Sequence, residues 1–381
     1  MKKEYRMCKR CVMDTTAEEI EFDERGYCNF CTRVEREIKP KWFPETKEGW
    51  KELENRLKKI AKRIKEETKG QEYNCIIGVS GGVDSSYTLY YIVEHLGLKP
   101  LVVHIDAGWN SEIAVKNIEL LIDKLNLDLY TYVVDWEEMK DLQLAFLKAS
   151  VPNQDIPQDH AFFAKLYEIA VKHNIKYVIT GSNYVSESIL PASWGYDAMD
   201  SIHLKAIHKR FGTRPLKKFP IISPFKYYFW YPYVKKLKIV RPLNYIPYHR
   251  QKAIETLQKE FGWRYYGGKH YESRWTRFFQ SYYLPVKFGY DKRKAHFSSL
   301  IMAGQMTREE ALKELEKPPY DENYVRTEKA FIARKLGITV EEFEKLINLP
   351  PRRHEEFPMA RKYIDILRKI KKYFGIKGGR F

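Results

Sequence analysis

An α/β protein whose parallel sheet carries helices on both faces is the fold class predicted by this sequence, and three observations predict it. Between Asn74 and Thr180, strand-like runs alternate with helix-like stretches, the rhythm of consecutive strand–helix–strand units. The apolar run Cys75–Val79 breaks at Ser80-Gly81-Gly82 and resumes as a helix, the kind of strand end at which such sheets bind ligands. A cysteine-bearing segment precedes this alternation, and a polar, charged, helical pattern replaces it from about Tyr248. The expected organisation is a knuckle over residues 1–45, the sheet domain over 46–247 and a mainly helical region over 248–381.

The elements follow in order. Trp50 to Lys69 reads as a charged helix, Asn74–Val79 as the first strand, and the stretch through His95 as the helix it feeds. Leu101–Ile105 precedes a helix from Ser111 to Leu125, and Leu129–Val134 precedes one from Trp136 to Leu147. A Pro-rich loop at Val151–Pro157 leads to a helix from Ala161 to His173 and a strand at Tyr177–Thr180. Further on, Thr307-Arg308-Glu309-Glu310 and Thr339-Val340-Glu341-Glu342 have the spacing of capping boxes. Met359 to Phe374 spaces its apolar residues as a helix docked on the protein.

Cys8, Cys11, Cys28 and Cys31 form two Cys-x-x-Cys pairs separated by 16 residues. That spacing suits four thiolates around one structural Zn²⁺, with Gly26 and Asn29 supplying turn chemistry. Two disulfides are the competing pairing, but a cytoplasmic protein is expected here: there is no signal peptide and no apolar run approaches a membrane span. Cys75, inside the first strand, reads as a core thiol.

The net charge of +17 is concentrated in one segment. Ser201 to Leu300 holds 22 Lys and Arg against Glu255, Glu260, Glu272 and Asp291, interleaved with aromatics. Such a field attracts polyanions, whether RNA, a nucleotide-sugar or ATP.

The turn from Ser80 through Gly81, Gly82, Val83, Asp84, Ser85 and Ser86 presents backbone N–H groups at a helix N-terminus, where a phosphate sits well. An acid such as Asp84 makes sense there if Mg²⁺ accompanies the phosphates. The turn is not of the Walker type: Gly268-Lys269 is followed by His270, and position 263 is Trp. No Gly-x-Gly-x-x-Gly follows a strand. The strand-end rule places Asp106 and Gly181-Ser182-Asn183 in the same crevice, with Asp106 a candidate to share Mg²⁺ with Asp84.

Ser80 to Ser86 resembles the Ser-Gly-Gly-x-Asp-Ser signature of the PP-loop ATP pyrophosphatases, whose loop grips the pyrophosphate leaving from ATP. Longer stretches sharpen the resemblance. Cys8–Thr16, His104–Glu112, Pro152–His160, Gly181–Asn183, and Gly267–Ser273 continuing to Gly304–Arg308 together resemble the N-acetyl sugar amidotransferases of surface-polysaccharide and nonulosonic-acid biosynthesis. The resemblance implies the PP-loop fold, ATP with Mg²⁺, and conversion of an acetamido group to an acetamidino group. The amide oxygen is adenylated and ammonia displaces AMP. It also implies a partner glutaminase subunit and a cyclase-like ammonia-channelling subunit. The cysteines agree, since four are engaged by zinc, Cys75 lies in a strand and residue 2 is Lys, which leaves no thiol for glutamine hydrolysis.

Lys269, His270 and Glu272 within the motif run, then Asp159, His160 and Glu187 as loop residues near the expected strand ends, are the candidate contacts to an anionic or nucleotide-linked acetamido sugar. A tRNA-thiolating or tRNA-modifying PP-loop enzyme is the alternative, though thiolation calls for cysteines that this chain lacks. A nucleic acid is therefore not the expected partner. A zinc-knuckle RNA-binding module would explain the charge and leave Ser80 to Ser86 without a role.

Overall fold

The computed structural model describes residues 4–361. Five parallel strands form one sheet: β1 Cys75–Gly78, β2 Pro100–Asp106, β3 Leu129–Val133, β4 Tyr177–Ile179 and β5 Lys238–Val240, in the order β3-β2-β1-β4-β5. The chain steps outward from β1 to β3 and then returns to pair β4 on the other side of β1. The switch point therefore lies between β1 and β4, where an open sheet leaves a crevice past its carboxyl ends.

β1, β2 and β4 are apolar because both their faces are covered, whereas the edge strands β3 and β5 are partly exposed. Along β1, Ile76 points into one core while Cys75 and Ile77 point into the other, as the two-residue strand period requires. One layer comprises α1 Lys47–Glu67, α2 Val83–Tyr90 with its continuation to His95, α3 Glu112–Leu125, and α7 Arg250–Phe261. The opposite layer comprises α4 Trp136–Ala149, α5 Ile156–Lys172 and α6 Ser201–Phe211. Beyond them lie α8 Lys292–Met302, α9 Arg308–Glu316, α10 Glu322–Leu336 and α11 Val340–Ile347. Both Thr307 and Thr339 close reciprocal capping boxes, as their spacing predicts. No helix among the described residues is long and apolar enough to cross a membrane.

Two differences from the sequence reading have physical reasons. Helix α5 starts at Ile156, inside the expected Pro-rich loop, because Pro157 sits in the first turn, where its missing N–H costs nothing. β5 escaped notice because three residues, Lys238-Ile239-Val240, carry too little periodicity. The aromatic run at Tyr227–Tyr231 is helical, from Lys226 to Val234. The expected helix at Met359–Phe374 lies, beyond residue 361, outside the described residues. Within 248–361, α7 joins the sheet layer through Ala253, Ile254, Leu257 and Phe261.

A Cβ on Gly181 would stand 2.8 Å from backbone atoms of both Asp84 and Ser85. The end of β4 thus packs directly on the start of α2. Gly181→Ala is expected to cost about 1–3 kcal/mol, read as a lower urea midpoint at unchanged slope.

Candidate active site

The turn after β1 is shaped by contact with its neighbours. Gly81 adopts φ +76°, and a Cβ there would lie 2.3 Å from the Ala114 carbonyl oxygen. Gly82 precedes α2 with no side chain capping the helix, and the Ser80 hydroxyl accepts from the Gly82 N–H at 3.3 Å. The Val83 N–H donates to the Tyr266 hydroxyl at 3.0 Å. A glycine-fed helix N-terminus whose first N–H groups meet only the Ser80 and Tyr266 hydroxyls, which a ligand can displace, is the environment an anionic phosphate needs.

Asp84, in the first turn of α2, is the electrostatic centre. Its Oδ1 accepts from the Tyr248 hydroxyl at 2.5 Å, its Oδ2 from the Ser186 hydroxyl at 3.4 Å, and the Lys269 ammonium lies 3.7 Å from Oδ2. Burial works against its charge, but Lys269, the Tyr248 hydroxyl, Arg250 and His270 outweigh it and hold the carboxyl below its usual range. Lys269 also donates to Ser186 at 2.7 Å and pairs with Glu187 at 3.0 Å.

Residues distant in sequence reach this point through backbone pairing. Asn110 and Ser273 form an antiparallel bridge, with Ser111 N–H to Glu272 C=O and Arg274 N–H to Trp109 C=O both at 2.8 Å. The Arg274 guanidinium is then fixed by a two-pronged pair with Glu328 of α10, at 3.1 and 2.6 Å. So pinned, Glu272 places Oε1 3.4 Å from the Ser80 hydroxyl, while its buried Oε2 has no partner among the described residues.

Three spaces meet here. A crevice of about 370 Å³ is lined by the loop, by Gly181 and Ser182, and by Glu187, Lys269 and Glu272. A larger chamber of about 660 Å³ carries Arg250, Lys269, Lys292 and Arg293 in its wall. A third, of about 250 Å³, lies towards the end of β2. His270, a non-glycine residue at φ +63°, borders all three.

The expected site residues divide accordingly. Ser80, Gly82, Val83, Asp84, Ser85, Gly181, Ser182, Asp159, Glu187, Lys269, His270 and Glu272 all line the crevice. Asn183 lies just beneath it, its side chain accepting from the Ser186 N–H at 3.0 Å and donating to the Gly181 carbonyl at 3.1 Å. Ser86 is fully buried. Two further expected residues lie outside the crevice. Asp106 does not line the crevice beside Asp84; its Oδ1 accepts from Gly108 N–H at 2.7 Å and Asn110 Nδ2 at 3.0 Å, which stiffens its own loop. His160 does not face a ligand: it is fully buried, Nδ1 lies 2.7 Å from the Ala198 carbonyl and Nε2 accepts from Ile222 N–H at 3.1 Å. Tyr248, Arg250, Tyr266, Asp155 and Lys292 were missed. They sit among many aromatic and basic residues of 201–300, or in the loop before α5, with no spacing to single them out.

Asp159 and Asp155 are both pushed up by burial, Asp159 to about 6 despite opposing pulls from His270 and Lys292, and Asp155 further by the Asp159 charge. Burial brings Lys292 down to about 8. A carboxyl whose folded value lies above its unfolded one destabilises the fold once pH rises through both. Asp159→Asn is therefore expected to raise the melting temperature at pH 7.5, with the gain vanishing below about pH 4, where both states are protonated.

The knuckle is built as the spacing predicts. All four sulfurs of Cys8, Cys11, Cys28 and Cys31 lie within 4.8 Å of one another and are fully buried. Three pairs stand at 4.0, 3.7 and 3.6 Å, close to the ~3.8 Å edge of a tetrahedron with Zn–S of about 2.3 Å. The Cys28 N–H points at the Cys8 sulfur at 3.2 Å. This donor set fits one zinc ion in a closed, structural site. The knuckle is fastened to the rest of the molecule by Arg308, which donates to the Cys8 and Cys11 carbonyls at 3.2 Å each, and by Lys294 paired with the buried Asp14.

Fold and loop together define an open parallel sheet with a Ser-Gly-Gly turn past its first strand, beside the switch point between β1 and β4. More particularly, residues 272–371 match the family described as LPS biosynthesis protein WbpG-like, C-terminal domain. Among curated proteins, 207 residues (53% of this chain) are 26% identical to the glutamine-hydrolysing GMP synthase of Pyrobaculum aerophilum. The chain spans about a third (36%) of that enzyme's length. An uncharacterized protein of Methanocaldococcus jannaschii is 22% identical over 319 residues, 82% of this chain and 93% of the other. Two solved structures overlay loosely. The NH3-dependent NAD synthetase of Campylobacter jejuni has a TM-score of 0.30 at 16% identity, covering 80% of this chain and 98% of that one. A predicted tRNA methyltransferase subunit of M. jannaschii gives 0.28 at 15%, covering 48% and 75%. Overlays this loose carry no weight for fold or function.

Proposed function

We propose that this protein is the synthetase subunit of an ATP-dependent amidotransferase of surface-glycan biosynthesis, which adenylates the acetamido oxygen of an N-acetyl sugar and lets ammonia displace AMP to form an acetamidino group. The observation that carries the reading is Asp84, held ionised on a phosphate-shaped turn beside Lys269, in a chain whose carboxyl-terminal part matches a lipopolysaccharide-biosynthesis family.

An amide carbonyl is a poor electrophile, and placing AMP on its oxygen supplies a leaving group. The Ser-Gly-Gly turn and the start of α2 receive the departing pyrophosphate, and Lys269 neutralises its charge as the bond breaks. Asp84 and Glu187, both reaching the Lys269 ammonium, are the carboxylates that would hold Mg²⁺. A bound Mg²⁺ supplies further charge neutralisation on the phosphates. The 660 Å³ chamber, with Arg250, Lys292 and Arg293 in its wall, suits an anionic or nucleotide-linked sugar.

All five cysteines are buried, four in the knuckle and Cys75 inside β1, so none is placed to hydrolyse glutamine. Ammonia therefore comes from a glutaminase partner, delivered through a cyclase-like channelling subunit. The test is to incubate the purified chain with ATP, Mg²⁺, ammonium chloride and a panel of N-acetyl sugars, free and nucleotide-linked. AMP and pyrophosphate are expected in equal amounts with one acceptor, alongside an acetamidino product. ADP with orthophosphate refutes the reading, and turnover from glutamine alone refutes the partner.

A further inference from the structure

The smallest of the three chambers has a charge opposite to that of the molecule. Its wall holds Asp155, Asp159 and Glu272 among neutral polar groups and no Lys or Arg, although the chain carries a net charge of +17. Gathering carboxylates away from water is costly unless a cation or a proton compensates them.

Asp155 is 6% exposed, and its Oδ1 accepts from Gln158 at 2.8 Å and Thr276 at 3.1 Å, whereas its Oδ2 accepts nothing among the described residues. Asp159, one turn along, forms neither an ion pair nor a side-chain hydrogen bond among them. The buried Oε2 of Glu272 is likewise without a partner. The space opens past Ser80 and His270 onto the loop. The charged groups facing Asp159 are Asp155 from its own segment, His270 and Glu272 from the 267–273 run, and Lys292 from α8. Lys292 and His270 penalise a doubly charged ion more than a singly charged one.

We propose that this chamber captures ammonium and that Asp159 takes its proton, making the neutral nucleophile next to the activated carbon. The proposal rests on the amidation assigned above. One N–H bond of ammonium breaks, its electron pair stays on nitrogen and the proton moves to the Asp159 carboxylate. Nitrogen then forms the C–N bond to the adenylated carbon, and the C–O bond breaks with its pair leaving on AMP. The surplus proton on the new nitrogen passes to Glu272, which borders both chamber and crevice.

Thallium(I), a singly charged ion of ammonium's size, is the probe. Crystals of the full chain soaked in thallium acetate are expected to show an anomalous peak beside Asp155 and Asp159, weakened in both Asp159→Asn and Asp155→Asn. No peak in the chamber, or an undiminished one in both variants, overturns the proposal. With the acceptor sugar supplied, turnover of Asp159→Asn on ammonium chloride is expected to fall roughly a hundredfold, and its activity to need a higher pH. Unchanged ammonium dependence also overturns it, and the raised melting temperature expected of this variant separates the loss from misfolding. AMP release by the wild type without a thallium peak removes the chamber alone; no AMP with any acceptor removes the amidation on which it rests.

Discussion

Asp84→Asn is expected to lower AMP formation roughly 10²–10³-fold while the protein stays folded. The carboxylate collects Tyr248, Ser186, Lys269 and, at longer range, Arg250 around the first turn of α2. An amide is nearly the same size, so packing survives, but Lys269 loses an anion that orients it and Mg²⁺ loses a charged ligand. The effect belongs in the chemical step. Thermal melting should fall by a few degrees at neutral pH, because a carboxyl held below its usual range stabilises the fold there and its loss leaves Lys269 with Glu187 alone. The decisive measurement is pyrophosphate release at saturating ATP. A variant with less than a tenfold loss would place the reacting phosphates away from α2.

Cys11→Ser should act differently, on the fold before the chemistry. Met13, Ile20, Phe30, Val34 and Ile38 pack into the shared core rather than one of the knuckle's own, and metal binding is expected to supply much of this segment's folding energy, several kcal/mol of which depends on a complete set of thiolates. The variant is expected to lose its zinc, measured by metal analysis of the purified protein, and to melt well below the wild type or in two steps. A chelator at elevated temperature should reproduce the shift in the wild type. A wild-type protein free of zinc that melts at the same temperature as the loaded one would sink this account.

Much of the sheet was legible in the residues because β1, β2 and β4 are fully covered and correspondingly apolar, and because the Ser-Gly-Gly break marks a carboxyl end without ambiguity. The cysteine spacing was equally explicit. What escaped were features created by contacts between distant segments. Asp106 looked like a metal ligand beside Asp84 since it ends a strand, yet it lies outside the crevice and Gly108 and Asn110 both bind its Oδ1. His160 looked available from its place near a loop, yet two backbone groups claim its ring. Tyr248 and Arg250 carry no local signature, because what makes them matter is that α7 returns to pack on the sheet layer beside α2. The motif runs His104–Glu112 and Gly267–Ser273 fared better: they pair with each other through Asn110 and Ser273, which explains why both carried a signal.

The fastening of the knuckle by Arg308 and Lys294 has a temporal consequence. The cysteines emerge from the ribosome well before α8 and can load metal at once, yet the carbonyls of Cys8 and Cys11 and the carboxylate of Asp14 meet their cations only after some three hundred further residues have been made. The knuckle must wait, preassembled, for the helices that fasten it, so nascent chains halted before α8 should carry zinc while the knuckle remains accessible to protease.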